Sequence, residues 1–269
     1  MIIGNRTFDT KKHTYIMGIM NITPDSFSDG GKYNQKDLAL EHAQKLVSEG
    51  ADILDIGGES TRPGHAQITA KEEIERVLPI IESLKKEFDV PLSIDTYKSQ
   101  VAEEALKAGV HLINDIWGLK YDDKMAGLVA KYNVPICLMH NCLNIQYERF
   151  ISDVIGGLMD SVELAFEAGI DQDKIILDPG VGFAKSYENN LQIVKHLQEF
   201  TKLEFPILLG TSRKSMIGLT LDLPFEEREE GTLVTTVMAV MAGCAFVRVH
   251  DVEKNKRAIQ MTEAIIKGN

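Results

Sequence analysis

The sequence has few cysteines, no long apolar segment and fewer basic than acidic residues. Its only cysteines, Cys137, Cys142 and Cys244, lack the spacing of a metal site, so we interpret them as reduced thiols of a cytoplasmic protein. Lys and Arg number 29 against 40 Asp and Glu, which disfavours nucleic acid or an anionic membrane as a partner of the whole molecule. The longest apolar run, residues 234–247, is too short to span a bilayer. Any anion site must therefore be a local cluster of charge.

Two patterns alternate along the chain. Short runs rich in Ile, Val and Leu, typical of parallel strands buried on both faces, begin at Tyr15, Ala51, Val90, Val110, Val134, Lys174, Phe205 and Ala245. Segments with helical spacing lie between them and tend to end in glycine, as at Gly50, Gly109 and Gly169, which favours left-handed caps. Eight such units favour a single closed (β/α)₈ TIM barrel over an open doubly wound sheet. We predict this barrel for residues 15–269, after an N-terminal extension (residues 1–14) that is poorly ordered or forms a hairpin.

Polar residues follow nearly every predicted strand. In a barrel of this kind the active site lies at the carboxyl ends of the strands. The residues placed there are Asn21, Glu59, Thr61, Arg62, Asp95, Asn114, His140, Asp178, Arg213, Lys214, Arg248 and His250. A single one of them could simply cap the following helix, but a set on nearly all strands indicates a site.

The strand-end residues divide into two chemical groups. Asp95, Asn114 and Asp178 supply acceptors and an amide, which suit a flat heterocycle with a guanine-like edge of N–H donors. Arg248 and His250, with Asn21 and Thr61, supply donors and positive charge for a phosphate or diphosphate. Asp55 lies inside its strand, and we interpret it as a buried carboxylate that supports the barrel or the residues of the site.

Seven motifs give the chain a family resemblance. They are NITPDSFSDGG, GGESTRPG, SIDT, INDI, LDPGVGF, GTSRKS and VRVHD, in this order and from about Tyr15 onward. The chain resembles the dihydropteroate synthase family, whose members are (β/α)₈ barrels. The resemblance implies a homodimeric transferase of folate biosynthesis and a target of sulfonamides. It would join 4-aminobenzoate to (7,8-dihydropterin-6-yl)methyl diphosphate with the help of Mg²⁺, releasing diphosphate.

The resemblance also implies a role for individual residues. The pterin would be held by Asp95, Asn114, Ile116, Met139, Asp178, Lys214 and Arg248. The diphosphate would contact Asn21, Thr61, Arg248 and His250, and Asn21 would also bind the metal. The aminobenzoate side would comprise Phe27, Arg62, Pro63, Phe183, Lys214 and Ser215. Asp29, Arg62 and Lys214 are the implied catalytic residues. The segment after LMH, NCLNIQYERF, differs from the loop that many members of the family carry.

The resemblance gives the first loop (residues 22–31) a function. Loss of diphosphate would leave a methylene cation conjugated with the pterin, and water would capture it in an open site. Gly30 and Gly31 would let the loop close, with Phe27 excluding water and Asp29 facing the cation. The second loop, with Arg62 and Pro63, would close with it.

Two alternatives remain open at the level of sequence. A methyltetrahydrofolate-corrinoid type methyltransferase domain shares the barrel and the pterin-binding aspartate and asparagine, but it would not use the SRK and TRPG segments or a diphosphate site. A catalytically silent paralogue that only binds pterin or a protein would not need the residues of two substrate sites and a lid.

Overall fold

The computed structural model describes residues 1–22, 32–60, 67–143 and 146–268. Two short antiparallel strands, β1 (Ile2–Ile3) and β2 (Arg6–Thr7), form an N-terminal hairpin. Ile3 and the following Phe8 are buried against Met17 and Phe246, which lie near the starts of two barrel strands. The extension is thus a hairpin that covers the amino-terminal end of the barrel.

Eight parallel strands form the barrel. They are β3 (Tyr15–Asn21), β4 (Ile53–Gly57), β5 (Leu92–Asp95), β6 (Leu112–Asp115), β7 (Ile136–Met139), β8 (Ile175–Asp178), β9 (Leu208–Leu209) and β10 (Phe246–Val249). The order in the sheet is β8-β7-β6-β5-β4-β3-β10-β9. A parallel bridge between Leu177 and Ile207 joins β8 to the segment before β9 and closes the ring. The predicted single (β/α)₈ barrel is confirmed.

Helices follow the strands and surround them. They are α1 (Lys32–Ser48), α2 (Ala70–Glu87), α3 (Ser99–Lys107), α4 (Met125–Tyr132), α5 (Phe150–Glu167), α6 (Tyr187–Lys195), α7 (Leu197–Thr201), α8 (Ser215–Leu221), α9 (Glu229–Ala242) and α10 (Val252–Lys267). The predicted left-handed glycines are confirmed, with φ of +100° at Gly50, +105° at Gly109 and +87° at Gly169. In the described ranges, no helix combines the length and apolar character needed to cross a bilayer.

Successive side chains of each strand point alternately into two buried regions, one between the strands and the helices and one inside the barrel. Residues such as Leu54, Ile94 and Leu138 are buried in the cluster that also contains the inner faces of the helices. The side chains that alternate with these line the inside of the barrel. Near the starts of the strands they are apolar, for example Ile53 and Leu112. Polar residues occupy the same phase near the strand ends, so the fold itself places them inside the upper barrel.

Candidate active site

Strand register brings the predicted polar residues to one level. Asn21 pairs with Gly57, Gly57 with Asp95, and Asp95 with Asn114. On the other side of the barrel Met139 pairs with Asp178. The carboxyl ends of β3 to β8 therefore present their side chains around a common opening, as the barrel prediction requires.

Asp55 and Arg248 organise the centre of this opening. Asp55 Oδ2 accepts hydrogen bonds from Arg248 Nε at 2.6 Å and from Asn114 Nδ2 at 3.1 Å. Arg248 Nη2 donates to Asp95 Oδ2 at 2.7 Å. Because a carboxylate only accepts, Asp55 fixes the amide of Asn114 with its nitrogen inward, and the carbonyl oxygen is left as the acceptor on the other side. Asp55 is thus the supporting residue that the sequence suggested.

Asp95 has a raised pKa. Burial raises its pKa to about 7, with the charges of Asp55 and Glu73 adding to the rise and that of Arg248 opposing it. Among the described residues, neither Asp95 Oδ1 nor Asp55 Oδ1 has a hydrogen-bond partner, although both are buried. Buried acceptors without partners are costly unless a ligand supplies the donors, so these atoms mark positions where donors are expected.

Asp178 and Lys214 form the opposite side of the site. Asp178 is buried, which raises its pKa, and its Oδ1 accepts from the Gly180 backbone N–H at 2.7 Å. Burial lowers the pKa of Lys214 to about 8, with Arg248 adding to the effect and Asp178 opposing it. Lys214 Nζ donates to the Val181 carbonyl. A low-dielectric site with one carboxylate and one ammonium can orient a polar ring edge strongly.

A glycine keeps the space between these groups open. A Cβ at Gly210 would lie 3.7 Å from Asp178 Oδ2, 3.8 Å from Lys214 Nζ and 3.9 Å from Arg248 Cβ. These are ordinary van der Waals separations, so the position could hold a methyl group without moving its neighbours. Gly210 thus lies beside Asp178, Lys214 and the stem of Arg248 and places no side chain between them, and we call this place the Gly210 gap.

The apolar walls of the site come from a separate small cluster. Ile116 and Met139, both predicted, are buried together with Tyr97, and Trp117 and Phe183 pack against them. Lys214 Nζ stands 4.9 Å from the centroid of the Phe183 ring, so one lysine contacts both the polar side of the opening and this wall. Tyr97 and Trp117 were not among the predicted residues. Each directly follows a motif, SIDT or INDI, and that proximity was the only available signal.

Several predicted strand-end residues have structural partners instead. Glu59 accepts from Tyr97 Oη at 2.8 Å and pairs with Lys98. Arg213 pairs with Asp251, and its guanidinium carbon lies 5.5 Å from the centre of the Phe225 ring. These contacts hold the loops around the opening. The structure does not bring Glu59 or Arg213 into the group around Asp178.

His140 is buried beneath the loop that carries Phe183. Its Nδ1 lies 3.0 Å from Lys185 Nζ, and Lys185 also donates to the Phe183 carbonyl at 2.9 Å. Burial, reinforced by Lys185, lowers the pKa of His140 to about 3, and burial lowers that of Lys185 to about 7. Tyr147 Oη donates to the Ala184 carbonyl at 2.8 Å. The contacts of His140 with Lys185 and of Tyr147 with Ala184 tie the segment that follows β7 to the loop with Phe183.

The structure describes some of the remaining predicted residues and not others. Asn21 is half-buried at the end of β3, His250 is half-buried after β10, and Ser215 is exposed at the start of α8. The predicted site residues Phe27, Asp29, Thr61, Arg62 and Pro63, and the glycines Gly30 and Gly31 to which loop closure was assigned, lie outside the described part of the chain.

Asn21 offers one oxygen ligand, which fits Mg²⁺ only if phosphate oxygens and water supply the other ligands. Among the described residues there is no cluster of three or more His, Cys, Asp or Glu side chains that could cage a metal ion. Mg²⁺ often binds through few protein oxygens together with substrate phosphates and water. A single hard amide oxygen at Asn21, beside the predicted diphosphate site, is compatible with that mode.

The rim of the barrel combines buried carboxylates, a lysine and an arginine with a small apolar cluster, which is the arrangement expected of a pterin-binding enzyme. Comparisons with known proteins agree. A model of the pterin binding enzyme family matches residues 17–250. A dihydropteroate synthase of Clostridium beijerinckii is 55% identical over 99% of this chain and 100% of its own length. The chain belongs to the dihydropteroate synthase family of pterin-binding enzymes.

Solved structures agree with this membership. A crystal structure of a Clostridium difficile dihydropteroate synthase, determined in the presence of pteroic acid, has a TM-score of 0.94 and 51% identity, covering 96% of this chain and 99% of its own. A Xanthomonas albilineans dihydropteroate synthase with 4-aminobenzoic acid has a TM-score of 0.91 and 40% identity, with coverage of 94% and 93%. At these identities the similarity extends beyond the barrel fold.

Proposed function

We propose that the chain condenses (7,8-dihydropterin-6-yl)methyl diphosphate with 4-aminobenzoate, giving 7,8-dihydropteroate and diphosphate in folate biosynthesis. The observation that carries the proposal is the gap at Gly210, bounded by Asp178, Lys214 and Arg248. The synthase relatives support it. They do not favour the methyltransferase or the catalytically silent paralogue.

The pterin would occupy the gap with its polar edge toward the carboxylates. Asp178 would accept from the ring N–H and the exocyclic amino group, while Asp95 Oδ1 and the Asn114 carbonyl would accept from donors elsewhere on the ring. Lys214 would donate to the ring carbonyl side. Ile116 and Met139 would lie against the ring faces. Buried acceptors without partners would thereby gain the donors that they lack in the unliganded chain.

The diphosphate would lie toward β3 and β10. Arg248 uses Nε and Nη2 within the barrel, so its remaining nitrogen would serve the anion, with His250, Asn21 and Thr61. Asn21 would hold Mg²⁺, which when bound would neutralise charge on the leaving diphosphate. The side chains of the protein then position the methylene carbon and keep the departing anion in place.

The aminobenzoate would bind against Phe183 and Lys214, with its carboxylate near Ser215. Phe27, Arg62 and Pro63 would complete this second subsite from the first two loops. The reaction is a dissociative substitution: the bond from the methylene carbon to the diphosphate oxygen breaks, the amine nitrogen attacks the carbon, and one amine proton is released. Asp29 would face the cation, and no nucleophilic side chain is needed because an arylamine is unprotonated near neutral pH.

We also propose that the chain acts as a cytoplasmic homodimer. Several apolar side chains of α8, α9 and α10 are exposed, among them Leu219, Val234, Met241, Met261 and Ile265, each with more than half of its surface accessible. Helices α9 and α10 pack against each other, so their exposed side chains lie on one part of the surface. Apolar patches of this kind mark protein interfaces. Sedimentation analysis at micromolar concentration would show a single species of twice the chain mass.

Diphosphate release tests the activity. The protein with both substrates and Mg²⁺ should release diphosphate continuously, and omission of 4-aminobenzoate should suppress the release. Asp178→Asn should be inactive, because its amide would present a donor to the donors of the pterin. Asp123→Asn, at an exposed position, is the matched control and should keep full activity. Diphosphate release at the same rate with and without 4-aminobenzoate would contradict the proposed condensation.

A further inference from the structure

Two contacts join Ser212 to His250, although 38 residues separate them in sequence. Ser212 Oγ accepts a hydrogen bond from the His250 backbone N–H at 3.2 Å. The same oxygen lies 2.8 Å from His250 Nδ1. Ser212 is buried, with 6% of its surface exposed, so water does not easily replace either contact.

The arrangement determines which nitrogen of the imidazole carries a proton. A serine hydroxyl has one hydrogen to donate and two positions at which to accept. Among the described residues, His250 Nδ1 is the acceptor within reach of the buried Ser212 hydroxyl hydrogen, and a buried donor left without an acceptor is costly. With a neutral imidazole we therefore expect the hydroxyl to donate to Nδ1 and the ring proton to reside on Nε2. When the imidazole is charged, Nδ1–H donates to Oγ, and Nε2 still carries its proton. In both states Nε2 is a donor.

The ring is held from further sides as well. The Phe225 ring meets the His250 ring edge-on, with centroids 5.8 Å apart and an interplanar angle of 84°. Arg213, next to Ser212, pairs with Asp251, next to His250. The two segments are therefore joined at adjacent positions, which keeps Ser212 and the imidazole in register.

We propose that Ser212 is a positioning residue that fixes His250 as an Nε2–H donor for the leaving diphosphate. This inference rests on the proposed function, in which His250 contacts that anion. In the other tautomer Nε2 would turn a lone pair toward the anion, and the contact would become repulsive. Ser212 thus keeps the neutral imidazole attractive to diphosphate.

Ser212→Ala separates this role from simple packing. Without the hydroxyl, neutral His250 samples both tautomers, whereas charged His250 carries both protons whatever its neighbour. The affinity for inorganic diphosphate with Mg²⁺ should fall about twofold at pH 8, the factor for an even mixture of the two tautomers, and change little at pH 5.5. The value of kcat/KM for the pterin diphosphate should show the same pH-dependent ratio of wild type to variant.

Other charges around His250 must be distinguished from its own. Arg213, Asp251 and Arg248 carry charge close to it, and burial with Asp251 nearby raises the pKa of Glu229 to about 8. The comparison is therefore a ratio to wild type at each pH, in which the titration of Glu229 and of the diphosphate cancels. A Glu229→Gln background should leave the ratio unchanged.

Two further variants complete the design. Ser212→Thr keeps the hydroxyl and should restore most of the affinity at pH 8. Ser83→Ala removes an equally buried hydroxyl, one that donates to the Pro79 carbonyl in α2, and should have no effect on diphosphate at any pH. Imidazole ¹⁵N NMR of the unliganded protein gives the tautomer directly, with the His250 resonances assigned from His250→Gln.

The expected result is the Nε2–H tautomer in wild type, a tautomer mixture in Ser212→Ala, and an affinity loss confined to high pH. An unchanged tautomer in Ser212→Ala, or a loss that is equal at pH 5.5 and pH 8, would overturn the inference. A wild type that forms no product would instead count against the proposed function, so the two failures are distinguishable.

Discussion

Arg248 and Asp55 lie 193 residues apart in sequence and are joined inside the barrel by a hydrogen bond of 2.6 Å between Nε and Oδ2. The same Oδ2 holds the amide of Asn114, so one buried carboxylate orients both an arginine and an asparagine of the proposed pterin and diphosphate sites. The rim is therefore prearranged before any ligand binds.

Asp55→Asn should be strongly destabilising. Removing the charge of Asp55 leaves the buried Arg248 guanidinium with Asp95 as its remaining carboxylate partner, and we expect a loss of about 3 kcal/mol. Glu72→Gln removes a carboxylate from an exposed pair with Arg76, also at 2.6 Å, and should cost about 0.5 kcal/mol or less. Urea unfolding measures both values. Similar losses in the two variants would show that the Asp55 contact does not organise the site.

Gly210→Ala should fold normally and bind pterin poorly. The added methyl group meets Asp178, Lys214 and Arg248 only at van der Waals distances, but it occupies the gap in which the ring is proposed to lie. Gly127→Ala, in α4 with nothing within 4 Å of its Cβ, is the control and should bind as wild type. Calorimetry with a pterin ligand and thermal unfolding of both variants are the measurements. Undiminished pterin binding by Gly210→Ala would show that the pterin does not bind in this gap.

Asp178→Asn should lose most pterin affinity and keep its fold. The amide sets its donors against the donors of the pterin edge, which costs roughly 1–3 kcal/mol or more. Far-ultraviolet circular dichroism would verify the fold, and calorimetry the affinity. A well-folded variant with normal affinity would remove Asp178 from the site.

Pterin binding should weaken as the pH rises through about 8. The pKa of Lys214 is lowered to about 8, so its ammonium is present below this pH and is lost above it. A titration of pterin affinity in wild type should show a rise as Asp95 ionises near pH 7 and then a decline as Lys214 loses its proton near pH 8, and Lys214→Met should bind weakly throughout. Because Glu229 titrates in the same range, Glu229→Gln serves as the control and should retain the decline.

4-Aminobenzoate should bind only after the first site is filled. Phe183 and Lys214 belong to the described part of its proposed site, whereas Phe27, Arg62 and Pro63 belong to loops that would close over diphosphate and Mg²⁺. Calorimetry should show weak binding to the unliganded protein and strong binding with diphosphate and Mg²⁺ present. Phe27→Ala and Arg62→Ala should raise the KM for 4-aminobenzoate and leave pterin affinity nearly intact. Equal binding with and without diphosphate would indicate a preformed site.

The fold was predictable because burial leaves a strong pattern. Each parallel strand is buried on both faces and largely apolar, and eight such runs separated by helical segments are confirmed as eight strands. Strand limits were less predictable: the run beginning at Phe205 contains only the short strand Leu208–Leu209. A closed barrel tolerates such a short strand, because the Leu177–Ile207 bridge continues the ring.

The polar residues of the rim were predictable from strand position, whereas their supports were not. Asp95 and Asp178 end their strands, Asn114 is next to last in its own, and register brings such residues to one level. Lys185 and Ser212 act through residues 45 and 38 positions away, and no local pattern reports contacts of that kind. Gly210 contributes by the absence of a side chain, which a sequence shows only once its neighbours are known.

The most direct test of the central claim is mass spectrometry of the product formed from the pterin diphosphate, Mg²⁺ and 4-aminobenzoate labelled with ¹⁵N at its amine. The account predicts 7,8-dihydropteroate that carries the label, formed in step with diphosphate, with little of the alcohol that results when water captures the cation. Formation of the alcohol alone, or the absence of any labelled pterin, would contradict it.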